Sequence, residues 1–154
     1  MQVTQGISGQ GDFPEILRAM NMFDSLSLLP VKSEFHVLGL FAIIEMLITH
    51  NPKLEDRGDS ITHQMQSKIP LLSRRFDRQL DFSSFFGNAT EKKVWAALYK
   101  YRSALAHGGV PDFQGDLQIL KNANNAKAFL KEVVKALLRH SLQEPQLYRD
   151  LRAC

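Results

Sequence analysis

The sequence predicts an all-α fold, a single-domain helical bundle of about five or six helices. Three observations predict it. Apolar residues recur at three- and four-residue spacing along most of the chain, the period of a helix with one buried face. No stretch alternates apolar and polar side chains strictly, as a half-buried strand would. Proline, glycine and capping residues punctuate the chain at helix-length intervals. The chain has 154 residues, which suits one domain. A domain of that size buries roughly 70% of its unfolded surface and needs no disulfide or metal staple.

The elements follow in order. Residues 1–11 are polar with no apolar period, and are expected to form a mobile arm or a linker from a longer parent chain. The helical domain is expected over 12–154. A first helix is expected from Phe13 to Leu26, with Asp12 as N-cap and Pro14 in the first turn. A second is expected from about Pro30 to His50, stopped by Asn51-Pro52. A third starts near Ser60, and Pro70 inside it should kink or divide it. Asp81 to Gly87 reads as a phenylalanine-rich loop whose Phe82, Phe85 and Phe86 plug the core. Asn88 is then expected as N-cap, with Glu91 as its capping-box partner. The helix that follows runs to His107, with Gly108-Gly109 as its glycine stop. A short helical turn is expected in Asp116 to Asn122. The last long helix runs from about Asn124 to Leu142, with a frayed piece after Pro145.

Composition excludes several classes. The net charge is +3 and the isoelectric point about 9.1, a mild excess that admits an anionic partner without demanding one. Cys154 is the one cysteine, so no internal disulfide framework exists, as suits a reducing compartment. The N-terminus lacks the order of a signal peptide. The most apolar run, Leu38 to Ile48, is interrupted by Glu45 and is short of the ~20 residues a membrane span needs. A cytoplasmic protein with no membrane segment is expected. His36, His50, His63 and His140 are scattered, and neither a His-Glu-x-x-His nor a CxxC pattern occurs. No metal and no cofactor are expected. Glycine-rich phosphate loops and Ser/His/Asp orders are likewise missing from the sequence.

The most informative helix reads TEKKVWAALYKYRSALAH over residues 90–107. Val94, Leu98, Tyr101 and Leu105 form its core stripe. A second seam holds Ala96, Tyr99, Ser103 and Ala106. Its small side chains suit close approach of another helix, in a dimer or inside the monomer; both readings stay open. Arg102 and His107 flank this seam and diverge by about 140° on an ideal helix. One copy presents them poorly to one substrate. Two copies packed across the seam would bring both pairs to a shared cleft.

The segment YRSALAHGG (Tyr101 to Gly109) resembles the Arg-x4-6-His signature of HEPN domains. LGLFAIIEMLITHNPK (Leu38 to Lys53) resembles the apolar, Glu-containing helix of the ApeA-like branch, and KIPLLSRRF (Lys68 to Phe76) resembles the same branch. The resemblance covers about Val31 to Gly109. It implies an HEPN-like bundle that forms a homodimer. It also implies metal-independent RNA cleavage, with Arg102 and His107 as catalytic residues. A toxin-like effector within antiviral defence or a toxin-antitoxin pair is the implied setting. Ser103 stands where catalytic members often carry Asn, Asp or His, so a non-catalytic scaffold or regulatory module that binds a protein or nucleotide partner is the alternative. A helical dimerisation domain with a coincidental Arg/His pair is the third reading.

The side chains suit the chemistry. RNA supplies its own nucleophile, the 2′-hydroxyl. Histidine moves protons near neutral pH, and the arginine fork matches phosphate oxygens. Equally, an arginine can ride the surface and a histidine can complement the helix dipole. Glu45 is expected either to pair with Arg102 beside the cleft or to reach water at the helix edge. Tyr99 and Ser103 are supporting candidates. Lys127, Lys131, Lys135 and Arg139 form a basic ridge on the last long helix, and Arg74, Arg75 and Arg78 a second cluster. Each is either an RNA-backbone contact or a solvated face.

Overall fold

The computed structural model describes residues 13–52 and 60–154. Among them the fold is all-helical and without strands, as the periodicity predicts. Its helices are α1 (Pro14–Leu26), α2 (Phe35–Ile48), α3 (Ile61–Ser73), α4 (Phe82–Phe86), α5 (Glu91–Ala106), α6 (Ala123–Gln143) and α7 (Pro145–Ala153). A 3-10 turn, Gln118–Leu120, precedes α6. The expected arm, residues 1–11, and Asp12 lie outside the described residues.

Helix α2 occupies the centre because almost all of it is apolar. Its sequence, FHVLGLFAIIEMLI, is apolar on every side, and such a helix must be covered all round. Helices α1, α3, α5, α6 and α7 all pack against it. Leu40, Phe41, Ile43, Ile44, Leu47 and Ile48 are consequently buried. Close approach of α1 needs Gly39, where a Cβ would run into the Leu26 side chain. Helix α6 contributes the opposite wall, burying Phe129, Leu130, Val133, Val134 and Leu137 while its lysines face out.

Several boundaries differ from the sequence reading. Pro30 to Ser33 form turns, and α2 begins only at Phe35, where the Ser33 hydroxyl accepts the Phe35 N–H at 3.2 Å. Phe13, not Asp12, precedes α1 at the cap position. Pro70 does not divide α3, which continues to Ser73; the proline sits one turn from the end. Asp81 to Gly87 is no loop. Asp81 caps the short α4 by accepting the Ser84 N–H at 3.3 Å. Thr90 rather than Asn88 caps α5, through the Lys93 N–H at 3.3 Å. The piece after Pro145 is an ordered helix with buried Tyr148.

Aromatic packing explains why α4 folds. Phe82, Phe85, Phe86 and Trp95 surround Phe129 with ring centroids 5.2, 5.4, 4.8 and 5.8 Å away. Helix α5 ends in a Schellman turn. His107 is its C-cap and Gly108 takes a left-handed φ of 73°. Gly109 N–H then reaches the Ala104 carbonyl at 2.7 Å and Gly108 N–H the Leu105 carbonyl at 3.4 Å. Glycine alone enters that conformation without steric strain. Phe129→Ala should therefore lower unfolding free energy by about 3–5 kcal/mol, and Gly108→Ala by about 1 kcal/mol, as read by urea denaturation.

Candidate functional site

The site is built at the C-terminal end of α2. Each carbonyl of that last turn needs a partner, and the negative end of the dipole favours cations. The Thr49 N–H and hydroxyl both return to the Glu45 carbonyl, at 3.0 and 2.8 Å. Arg152 Nη1 of α7 donates to the Met46 carbonyl at 3.4 Å. Lys68 Nζ of α3 donates to the Ile48 carbonyl at 2.9 Å and to Gln64 Oε1 at 3.1 Å. That double engagement lets a lysine lie buried.

Beyond α2 the chain is held in extended form. Gln64 brackets His50, accepting its N–H at 3.0 Å and donating to its carbonyl at 3.1 Å. The His50 ring places Nδ1 2.9 Å from the Arg152 carbonyl. A carbonyl only accepts, so Nδ1 bears the proton in this contact.

These ties shape an open cleft of about 680 Å³ between α2, α5 and α7. Glu45, Met46, Thr49 and His50 line it together with Arg102, Arg149 and Arg152. Arg102 Nε lies 3.8 Å from Glu45 Oε2, and the two side chains are 30% and 23% exposed. Burial pushes the Glu45 carboxyl above its usual range, against the pull of Arg102. Glu45 Oε2 itself is buried and accepts no hydrogen bond among the described residues. The Arg102 guanidinium also lies over the Tyr99 ring, 5.7 Å from its centroid. Tyr99 in turn meets Phe41 edge-on at 6.3 Å.

Arg152 and Arg149 reach back to α1, placing guanidinium nitrogens 3.1 and 3.6 Å from Glu15 Oε1. Although burial raises the Glu15 carboxyl, its own backbone N–H and the two arginines bring it below its usual range.

The structure brings Glu45, Arg102 and Tyr99 together and leaves His107 apart. His107 is exposed at the end of α5 and does not line the cleft. Ser103, one turn before it, is half-buried, its carbonyl accepting the His107 N–H at 3.1 Å. Of the second seam, Ala96 and Ala106 are exposed and Tyr99 and Ser103 half-buried. That seam is therefore not a second buried face among the described residues.

The basic residues do not make one track. Lys127 Nζ donates to the Val31 carbonyl at 2.7 Å. Arg75 grips the Glu144 carboxylate, which holds Glu144 down to about 2 with help from His140. Arg78, Lys135 and Arg139 meet at a shallow groove that Asp81 and Glu132 also line. Arg74 and Lys131 are exposed elsewhere. His140 is buried, donating or accepting with the Tyr148 hydroxyl at 2.8 Å and facing Glu144. Burial and the Glu144 charge push the Tyr148 phenol up.

Sequence reasoning missed Arg149, Arg152 and His50 as cleft residues. The signal was available in PQLYRDLRA, where Leu147, Tyr148 and Leu151 mark a buried helical face with Arg149 and Arg152 on its flank. Among the described residues no group of three His, Cys, Asp or Glu could hold a metal, and no helix is long and apolar enough to cross a membrane. Comparison with protein-family models, curated proteins and solved structures returned no match.

The raised Glu45 carboxyl has a defined signature. Its folded state takes up a proton above the unfolded value near 4.5, so the stability it contributes is complete below that pH and is lost as pH rises through the raised value. Glu45→Gln lacks this loss. Its stability relative to wild type should climb as pH rises from below 4.5 towards neutrality, followed by thermal melts across pH. A relative gain by wild type over that window would mean that Arg102 outweighs burial.

Proposed function

We propose that this chain is an HEPN-type endoribonuclease that acts without metal as a homodimer, in which Arg102 holds the phosphate and His107 moves protons. The observation that carries the reading is the state of Arg102. It is fixed in place by Glu45 and Tyr99, faces an open cleft, and makes no hydrogen bond among the described residues. A guanidinium has five N–H donors, and a positioned cation with its donors uncommitted suits a phosphate oxygen.

The reaction needs little else. A base takes the proton of the RNA 2′-hydroxyl, the freed oxygen attacks the adjacent phosphorus, and the 5′-oxygen leaves with a proton from an acid. Cyclic phosphate and a 5′-hydroxyl are the products. His107 is exposed on the far side of the α5 seam. An isologous dimer packed on that seam applies the same patch of both subunits to each other. The exposed Ala96 and Ala106 leave room for such a helix pair. A toxin-like or defence effector is the biological setting that the resemblance implies.

A second reading has its own support. Within one chain His107 and Arg102 do not share a cleft, which suits a non-catalytic module that holds a phosphate-bearing partner. Cleavage of single-stranded RNA in excess EDTA separates the two. Wild type should cleave, and Arg102→Ala and His107→Ala should each lose about 10²–10⁴-fold in rate while keeping their melting behaviour. Ala96→Arg, at an exposed position, should give monomers by sedimentation and lose activity. No cleavage of several RNAs by wild type would leave the binding module as the function.

A further inference from the structure

We infer that the cleft between α2, α5 and α7 is a phosphate-ester binding site in which Arg152 works together with Arg102. Both guanidiniums are anchored to adjacent residues of one helix. Arg102 stands against the Glu45 carboxylate, and Arg152 donates to the carbonyl of Met46. Two cations from helices distant in sequence are thereby brought to one cleft.

Three guanidiniums gather here: Arg149 and Arg152 share the Glu15 carboxylate, and Arg102 stands against Glu45. Like charges gathered in a partly desolvated cleft repel unless an anion joins them. Arg152 commits one nitrogen to Met46 and another to Glu15, and Arg102 commits none by hydrogen bond.

The site is also rigid where it needs to be. Glu45 and Met46 belong to the buried central helix, and the extended segment at His50 is clamped by Gln64. The cleft volume of about 680 Å³ falls within the ~300–1,000 Å³ usual for sites that hold nucleotide-sized molecules. An arginine pair at such a place recognises phosphate by its fork geometry. The phosphate can come from a free nucleotide or from an RNA strand laid across α7. This inference rests on the reading of Arg102 as a phosphate-binding group but not on cleavage.

The test uses the full chain in EDTA, titrated by calorimetry with 5′-AMP and with a 2′-O-methyl RNA oligonucleotide that cannot be cleaved. Binding of either probe is expected. Arg102→Gln and Arg152→Met should each weaken it by about tenfold or more, the worth of one charge-assisted hydrogen bond, and Lys93→Gln, at an exposed position of α5, should leave it unchanged. Binding of AMP identifies a nucleotide pocket; binding of the oligonucleotide alone identifies a strand path.

Because Arg152 also ties α7 to α1, a second measurement avoids substitution. Phenylglyoxal modification of the wild-type protein, read by mass spectrometry, should be slowed by the bound probe at Arg102 and Arg152 and not at Arg74, Arg78 or Arg139. Failure of both probes to bind, or binding without protection at Arg152, overturns the inference. RNA cleavage that ignores Arg152 would overturn it while leaving the nuclease reading intact. Arg152-dependent binding in a protein that never cleaves would do the reverse.

Discussion

Everything in this molecule is arranged around the burial of α2. A helix with apolar residues on all sides cannot lie on a surface, and no single neighbour can cover it. Five other helices therefore converge on it, and the order of the bundle follows from that demand. Helix α1 slides in at Gly39, α6 forms the opposing wall, and α3, α5 and α7 close the remaining sides. The aromatic cluster around Phe129 then seats α4 against α6.

The same helix creates the site by carrying one group that does not belong there. Glu45 is the lone acidic residue of α2, and a carboxylate among apolar neighbours is costly unless a cation stands beside it. Arg102 supplies that cation at 3.8 Å, too far for a hydrogen bond and near enough for attraction. The contact fixes where Arg102 sits without consuming its donors. The carbonyls that end α2 without helical partners draw in Arg152 and Lys68 for a related reason. A functional surface thus arises from the need to neutralise the far end of a buried helix.

The all-helical class and most of the long elements were legible because periodicity and caps are local properties. The sequence left Glu45 either paired with Arg102 or reaching water at the helix edge, and packing decides for the contact with Arg102. What local reasoning missed was decided by packing. Pro70 divides a helix only if the turn after it is unsupported, yet α3 is held there by buried Leu72 and Ile69. Phe82 to Phe86 reads as a loop until Phe129 is placed beneath it. Helix α7 reads as frayed until Tyr148 is found buried with His140 against it. The local pattern of PQLYRDLRA marks a buried face, but only the docking of that face makes Arg149 and Arg152 cleft residues.

Helix α7 holds on with one fully buried side chain, Tyr148, flanked by the half-buried Leu147 and Leu151, and with polar ties: Arg149 and Arg152 to Glu15, and the Arg152 carbonyl to the His50 ring. Segments with few buried apolar contacts open at lower free energy than the core. The last helix is therefore the natural first unit to detach, and its release would dismantle one wall of the cleft while uncovering α2. Amide exchange along α7 would then report occupancy of the cleft from a distance. A molecule bridging α5 and α7 would act as a clasp, slowing exchange in the terminal helix before it changed anything in the centre of the bundle.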